Sequence, residues 1–302
     1  MTAHVTVPTV VPTKATPGEL AERKGGQRIS VCLPARNEEA TVGPICELIV
    51  RRCMEPDTHG RRLVDELIVL DDGSVDDTAA VARAGGARVV AIDDVLPDLP
   101  RGAGKGNVLW KSLAVCDADI VVWCDTDLTS LTEAYITRLV APLLDDAQVQ
   151  FVKGFYRRPL DAHGQGGGRT TELVARPLLS RFFPILATIH QPLGGECAAR
   201  AQLLEQVPFV ESYGVETGLL IDVLRKVGVD AMAQVDLGVR THRHRGLDQL
   251  SHQAAEILAI VLRRAGLDEQ TNHLPALVLA DGSIRPVHLD ERPPMSSVRS
   301  GE

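Results

Sequence analysis

Ile120-Val121-Val122-Trp123-Cys124-Asp125-Thr126-Asp127 is a short apolar, β-branched run that stops on two carboxylates one residue apart. Such a run reads as a strand buried on both faces, as in parallel sheets. On an extended chain, residues two apart point the same way. Asp125 and Asp127 therefore converge on one cation, or on a ribose and a cation together. Oxygen donors suit Mg²⁺ or Mn²⁺. In isolation, a pair of solvated acidic caps explains the same residues.

Towards the N-terminus the pattern recurs. Strands are predicted at 29–33, 66–70, 87–91 and 120–124, with helices at 38–52, 76–84, 106–114 and 131–143. This alternation defines an α/β, Rossmann-like fold with a mostly parallel central sheet. Ligands of such sheets bind outside the carboxyl ends of the strands, and each end here carries a candidate contact. The first runs into Pro34-Ala35-Arg36-Asn37-Glu38, where free backbone groups suit a base edge and Asn37 suits a helix cap. The second reaches Asp71-Asp72-Gly73-Ser74, a carboxylate for ribose hydroxyls or an ordinary turn. The third leads to Arg101-Gly102-Ala103-Gly104-Lys105-Gly106, whose glycines allow close backbone approach to a ligand and whose lysine offers a point charge. It lacks the frame and the Ser/Thr of a Walker A loop.

Beyond residue 150 the rhythm changes. Gly166-Gly167-Gly168-Arg169-Thr170-Thr171 sits before a helix predicted over 171–182, where backbone N–H groups, Arg169 and the Thr171 hydroxyl suit an anion. Further helices are predicted at 214–227 and 247–265, and a strand at 231–239. That strand leads to Arg240-Thr241-His242-Arg243-His244-Arg245, where His242 and the arginines suit a diphosphate and its metal, or form a solvated basic turn. The divisions read as a mobile N-terminal arm over 1–27, a nucleotide-binding core over 28–150, an acceptor-side extension over 151–265, and a loop-like tail over 266–302.

Composition narrows the class. The 302 residues are 44% hydrophobic, carry a net charge of −8 and are only 3% aromatic, a poor basis for gripping nucleic acid. Six cysteines without a CxxC pair, several in apolar runs, point to a reduced cytoplasmic setting. No apolar stretch is long enough to span a bilayer.

Together these segments resemble the glucosyl-3-phosphoglycerate synthases of actinobacteria, retaining transferases of GT-A fold that move glucose from UDP-glucose to 3-phosphoglycerate. The likeness runs from about residue 28 to 295. It is carried by 34–39, 67–78, 104–109, 151–160, Gly166-Gly167-Gly168-Arg169-Thr170-Thr171 and its continuation to 179, 191–198, 213–222, 234–245 and Arg292-Pro293-Pro294-Met295. The resemblance implies that Pro34, Ala35, Glu38, Asp71 and Lys105 hold UDP, with Asp125 near the ribose. It implies Mg²⁺ or Mn²⁺ on Asp127 and His242, and the acceptor phosphate on Gly168, Arg169 and Thr171. Gly194 and Gly195 would lie beneath the sugar and Glu216 near its hydroxyls, with Tyr213, Arg240 and Arg245 around the substrates. It further implies a homodimer and no protein nucleophile. Three departures fall towards the acceptor: Leu193-Gly194-Gly195 where the family usually has Leu-Ser-Gly, His244 where it usually has asparagine, and a shorter loop before Gly166. A related transferase with another small anionic acceptor, and a non-catalytic nucleotide-sugar-binding protein, are the alternatives. An inverting polyprenyl-phosphate or polysaccharide synthase fits poorly, since neither Trp110 nor Trp123 lies in a QxxRW motif.

Overall fold

The structure is a computed structural model that describes residues 5–157, 168–240, 247–267, 276–287 and 289–301. In chain order the strands are β1 (Thr9–Val10), β2 (Ile29–Ala35), β3 (Glu66–Asp71), β4 (Arg88–Ala91), β5 (Ile120–Trp123), β6 (Phe151–Arg157), β7 (Cys197–Arg200), β8 (Phe209–Val210), β9 (Met232–Val239), β10 (Ala276–Val278), β11 (Ile284–Pro286) and β12 (Glu291–Arg292). The α-helices are α1 (Pro17–Arg23), α2 (Val42–Ile49), α3 (Thr78–Ala84), α4 (Gly104–Val115), α5 (Glu133–Asp145), α6 (Arg176–Phe182), α7 (Ala201–Leu204), α8 (Val215–Val227), α9 (Leu247–Arg264) and α10 (Met295–Ser300).

An eight-stranded sheet in the order β1-β9-β6-β7-β5-β2-β3-β4 forms the centre. Its pairings are parallel except those of β7, which runs against both β5 and β6. The sheet is buried on both faces, and the strands show it by alternation. Ile29, Val31 and Leu33 of β2 face one core with α1, α2 and α5. Cys32 of β2, with Val121 and Trp123 of β5, faces the other with α4, α8 and α9. Each such aliphatic side chain contributes about 1.5–3 kcal/mol on full burial. Five of the six cysteines are buried and none is bridged.

Four findings depart from the sequence reading. The predicted first helix starts late, at Val42, because Asn37 is held in the left-handed region at φ 56°. Asn37 does not cap it: its Oδ1 accepts from Val75 N at 2.9 Å, and its own N donates to Ser74 Oγ at 3.0 Å. Antiparallel β7 had no periodic signal, being only Cys-Ala-Ala-Arg. The N-terminal segment is no free arm in its described part. Thr9 and Val10 pair with β9, and Thr16 closes a capping box on α1 with Glu19.

The C-terminal tail also packs. β12 pairs with β8, Met295 is 1% exposed, and Trp110 Nε1 donates to Pro293 O at 2.7 Å. Arg264 forks between Asp222 and Glu291 at 2.8 and 2.7 Å. Met295→Ala therefore lowers the unfolding free energy by about 2–5 kcal/mol in a denaturant titration. A change near zero would mean that the tail is undocked in solution.

Candidate active site

A cleft of about 490 Å³ opens at the carboxyl ends of β2 and β5, within the size range of small-molecule sites. Pro34, Ala35, Arg36, Glu38 and Asp72 line it from the β2 and β3 ends, Lys105 from the first turn of α4, and Asp125, Thr126 and Asp127 from the end of β5. Gly104, Gly168, Arg169, Thr170 and Thr171 line it as well, joined by Leu193, Tyr213, Glu216 and Arg240. Of the predicted donor-side residues, Pro34, Ala35, Glu38, Lys105, Asp125 and Tyr213 thus line the same cavity as Gly168, Arg169 and Thr171 of the predicted acceptor side. The β5 tip is tied to the β2 tip directly, since Thr126 Oγ1 donates to Pro34 O at 2.8 Å.

The floor of the cleft is a charge network. Lys105 Nζ lies 2.5 Å from Asp125 Oδ1 and 2.8 Å from Glu216 Oε1. Arg240 Nη2 reaches Asp127 Oδ1 at 3.0 Å and Asp125 Oδ2 at 3.4 Å. Its Nη1 donates to Glu196 Oε1 and to the Tyr156 hydroxyl, each at 2.8 Å, and its guanidinium stacks over the Tyr156 ring. Burial works to raise the Asp125 pKa, but Lys105 and Arg240 outweigh it and hold the carboxyl well below its usual range. Glu196, with no exposed surface, is shifted the other way by burial, against the pull of Arg240.

Gly195 is required here by space. A Cβ on it would stand 2.1 Å from Asp125 Oδ1 and 2.5 Å from Lys105 Nζ. The neighbouring Gly194 carbonyl accepts from the buried Lys153 Nζ. A Cβ on Gly194 would lie 3.2 Å from Glu196 Oε2, a buried oxygen without a hydrogen-bond partner among the described residues.

The glycines of the third connection make close approaches within the chain, and Gly104 also lines the cleft. Gly102 packs against Arg292 and Glu211, Gly104 against Ser212, and Gly106 against the Val210 carbonyl, where added Cβ atoms would stand at 1.8, 2.7 and 1.8 Å. Asp71 closes its own turn by accepting from Ser74 N at 3.1 Å, while the next residue, Asp72, lines the cleft. His242, His244 and Arg245 lie outside the described residues. Sequence reasoning missed Thr126, Lys153, Tyr156 and Glu196. Lys153 in Phe151-Val152-Lys153-Gly154-Phe155 was a visible signal, a charge inside an apolar strand that demands a buried partner.

Among the described residues no three His, Cys, Asp or Glu side chains cluster as a metal site. Asp127 nevertheless fits a hard cation. It offers oxygen donors in the cleft with its side chain 32% exposed, and its one charged contact among the described residues, Arg240, also holds Asp125.

A largely parallel sheet with paired carboxylates at a central strand end, held there by Lys105 and Arg240, is the architecture of a nucleotide-sugar transferase of GT-A type. In agreement, residues 30–192 match the model of glycosyl transferase family 2. The chain is 47% identical over 298 residues to glucosyl-3-phosphoglycerate synthase of Mycobacterium tuberculosis, covering 94% of this chain and 90% of that one. It is 43% identical over 252 residues to the enzyme of that name from Petrotoga mobilis, covering 82% and 76%. A solved structure of the M. tuberculosis enzyme in complex with Mn²⁺, UDP-glucose and phosphoglyceric acid superposes with a TM-score of 0.87 at 44% identity, covering 97% of this chain and 100% of that one. This chain belongs to the glucosyl-3-phosphoglycerate synthase family.

Behind Tyr213 lies a carboxyl that titrates in the working range. Glu256 of α9 is 2% exposed, and its Oε2 accepts from Tyr213 N at 2.9 Å. Burial raises its pKa from the ordinary 4.5 to about 7, with the Tyr213 N–H opposing and the Glu216 charge assisting. A carboxyl with a raised folded pKa contributes stability below its unfolded pKa and loses it as the pH rises through the folded one. Relative to Glu256→Gln, the parent therefore loses on the order of 2–3 kcal/mol between about pH 4.5 and pH 8. Denaturant titrations of both proteins across that window check this. A gap independent of pH would contradict it.

Proposed function

We propose that the chain transfers glucose from UDP-glucose to 3-phosphoglycerate, giving glucosyl-3-phosphoglycerate and UDP. The observation that carries this reading is that residues assigned to the donor and residues assigned to the acceptor line one cavity. Asp125 and Asp127 after β5, with Lys105 of α4, line it, and so do Gly168, Arg169 and Thr171. The M. tuberculosis relative, solved with UDP-glucose and phosphoglyceric acid, supports the same pairing of donor and acceptor. So does its complex with UDP and glucosyl-3-phosphoglycerate, at 45% identity and a TM-score of 0.86.

On this reading Pro34, Ala35 and Glu38 meet the nucleotide, Lys105 sets a positive charge beside it, and Asp125 lies near the ribose. Asp127, with His242, would hold Mg²⁺ or Mn²⁺, as the relatives' complexes with these ions suggest. Such a cation, when bound, neutralises charge gathering on the departing diphosphate. Leu193, Gly194 and Gly195 floor the sugar site, and Glu216 orients its hydroxyls. Arg169 forks onto the acceptor phosphate, and Thr171 adds a hydroxyl donor.

The C1–O bond to UDP breaks as the acceptor oxygen bonds to C1 from the same face, and the acceptor proton passes to the leaving phosphate. No protein nucleophile or general base is assigned. The chain's work is positioning and electrostatics. We also assign it a homodimeric state and a cytoplasmic setting. No helix among the described residues is long and apolar enough to cross a membrane.

A second reading, a related small anionic acceptor, is favoured by one feature. Gly194 presents no hydroxyl to the partnerless oxygen of Glu196. Incubation with UDP-glucose, 3-phosphoglycerate and Mn²⁺ should yield glucosyl-3-phosphoglycerate by mass spectrometry, and its absence would sink the leading reading. Asp127→Ala should reduce kcat by about 100-fold or more. Undiminished turnover would remove Asp127 from the chemistry.

A further inference from the structure

We infer that Arg292 and Glu211 are positioning residues for the donor site: their buried ion pair, reaching in from the last strand, fixes the loop that delivers Lys105. The inference rests on the donor reading of the cleft proposed above.

Arg292 of β12 is 6% exposed and Glu211, which follows β8, is 8% exposed. Arg292 Nε lies 2.8 Å from Glu211 Oε1 and 3.0 Å from Asn107 Oδ1, and its Nη2 donates to Pro100 O at 2.6 Å. The remaining Glu211 oxygen accepts from Ala103 N at 2.8 Å, and Asn107 Nδ2 donates to Arg101 O at 3.2 Å. The backbone of the loop is thus gripped at Pro100, Arg101 and Ala103 by three side chains that also grip one another. Gly102, at φ 66°, has no room for a Cβ because Arg292 Nη2 would stand 1.8 Å from it.

Two residues beyond Ala103 comes Lys105, whose Nζ joins Asp125 to Glu216. On the other side Ser212 N donates to Ala103 O at 3.2 Å, so the turn bearing Tyr213 is fastened to the same loop. Tail docking alone does not require this arrangement, because Met295 and the Trp110–Pro293 bond already hold the tail. A buried ion pair is a poor stabiliser compared with apolar packing of the same volume. A guanidinium that uses Nε and Nη2 on separate acceptors instead fixes direction, which lysine cannot reproduce.

The test is calorimetric uptake of UDP with Mn²⁺, together with steady-state kinetics, on Arg292→Lys and Glu211→Gln. Both should weaken UDP binding about tenfold or more and raise KM for UDP-glucose in proportion. Arg299→Ala serves as the control, since Arg299 fastens the same tail to Glu205 and to Leu113 O, away from the loop. It should lower Tm while leaving UDP affinity at the parental value. Should Arg292→Lys fail to fold, Glu211→Gln, which preserves shape, carries the same expectation. UDP bound as tightly by the folded variants as by the parent, with only Tm reduced, would reduce the pair to a structural role and overturn the inference. Failure of the parent itself to take up UDP would instead strike the functional reading.

Discussion

A buried guanidinium needs charged partners, and Arg240 finds them for both of its amino groups only by drawing the residues of the cleft together, although its Nε has no hydrogen-bond partner among the described residues. At 5% exposure it would be strongly destabilising if left without partners. One amino group is satisfied by Glu196 and Tyr156, from β7's approach and from β6. The other faces Asp125 and Asp127 from β5. The strand-end carboxylates are therefore presented as a converging anionic pair rather than splaying into solvent. Lys105 completes the arrangement from the far side, and together the two cations keep Asp125 ionised against its burial.

The topology explains why residues so distant in sequence meet. In the sheet β6 does not sit beside β5. The antiparallel β7 instead slots between them, and its preceding loop delivers Gly194, Gly195 and Glu196 to the level of the β5 tip. Parallel pairing of β9 with β6 then brings Arg240 to the same rim. The strands before and after residue 150 form one continuous sheet, and the cleft lies at the end of β5, beside the place where strand direction changes.

The half of the chain that obeys local periodicity was legible in advance. β2, β3, β4 and β5 fell within a residue or two of their predicted positions, and the carboxylates after β5 were visible as site residues because an apolar run stopped on them. What escaped depends on tertiary partners. Asn37 has the composition of a helix cap, but a neighbouring loop captured its side chain. Cys197–Arg200 carries no alternation to announce a strand. The glycines at 102, 104 and 106 advertised close approach without saying to what, and the structure sets them against Arg292, Ser212 and Val210, with Gly104 also on the cleft wall. Proline-rich residues near the C-terminus suggested a loose end because the pairing of β12 with β8 has no local signature.

The family membership, the shared cavity and the charge network converge on one claim, that the cation and the sugar nucleotide meet at the Asp125–Asp127 end of β5. Anomalous diffraction from crystals grown with Mn²⁺ and UDP-glucose tests it most directly. The account predicts a manganese peak beside the Asp127 carboxylate, with Arg240 still anchored on Glu196 and the diphosphate near Lys105. A manganese peak or nucleotide density on the opposite rim of the sheet, with the network around Arg240 left as it is, would contradict it.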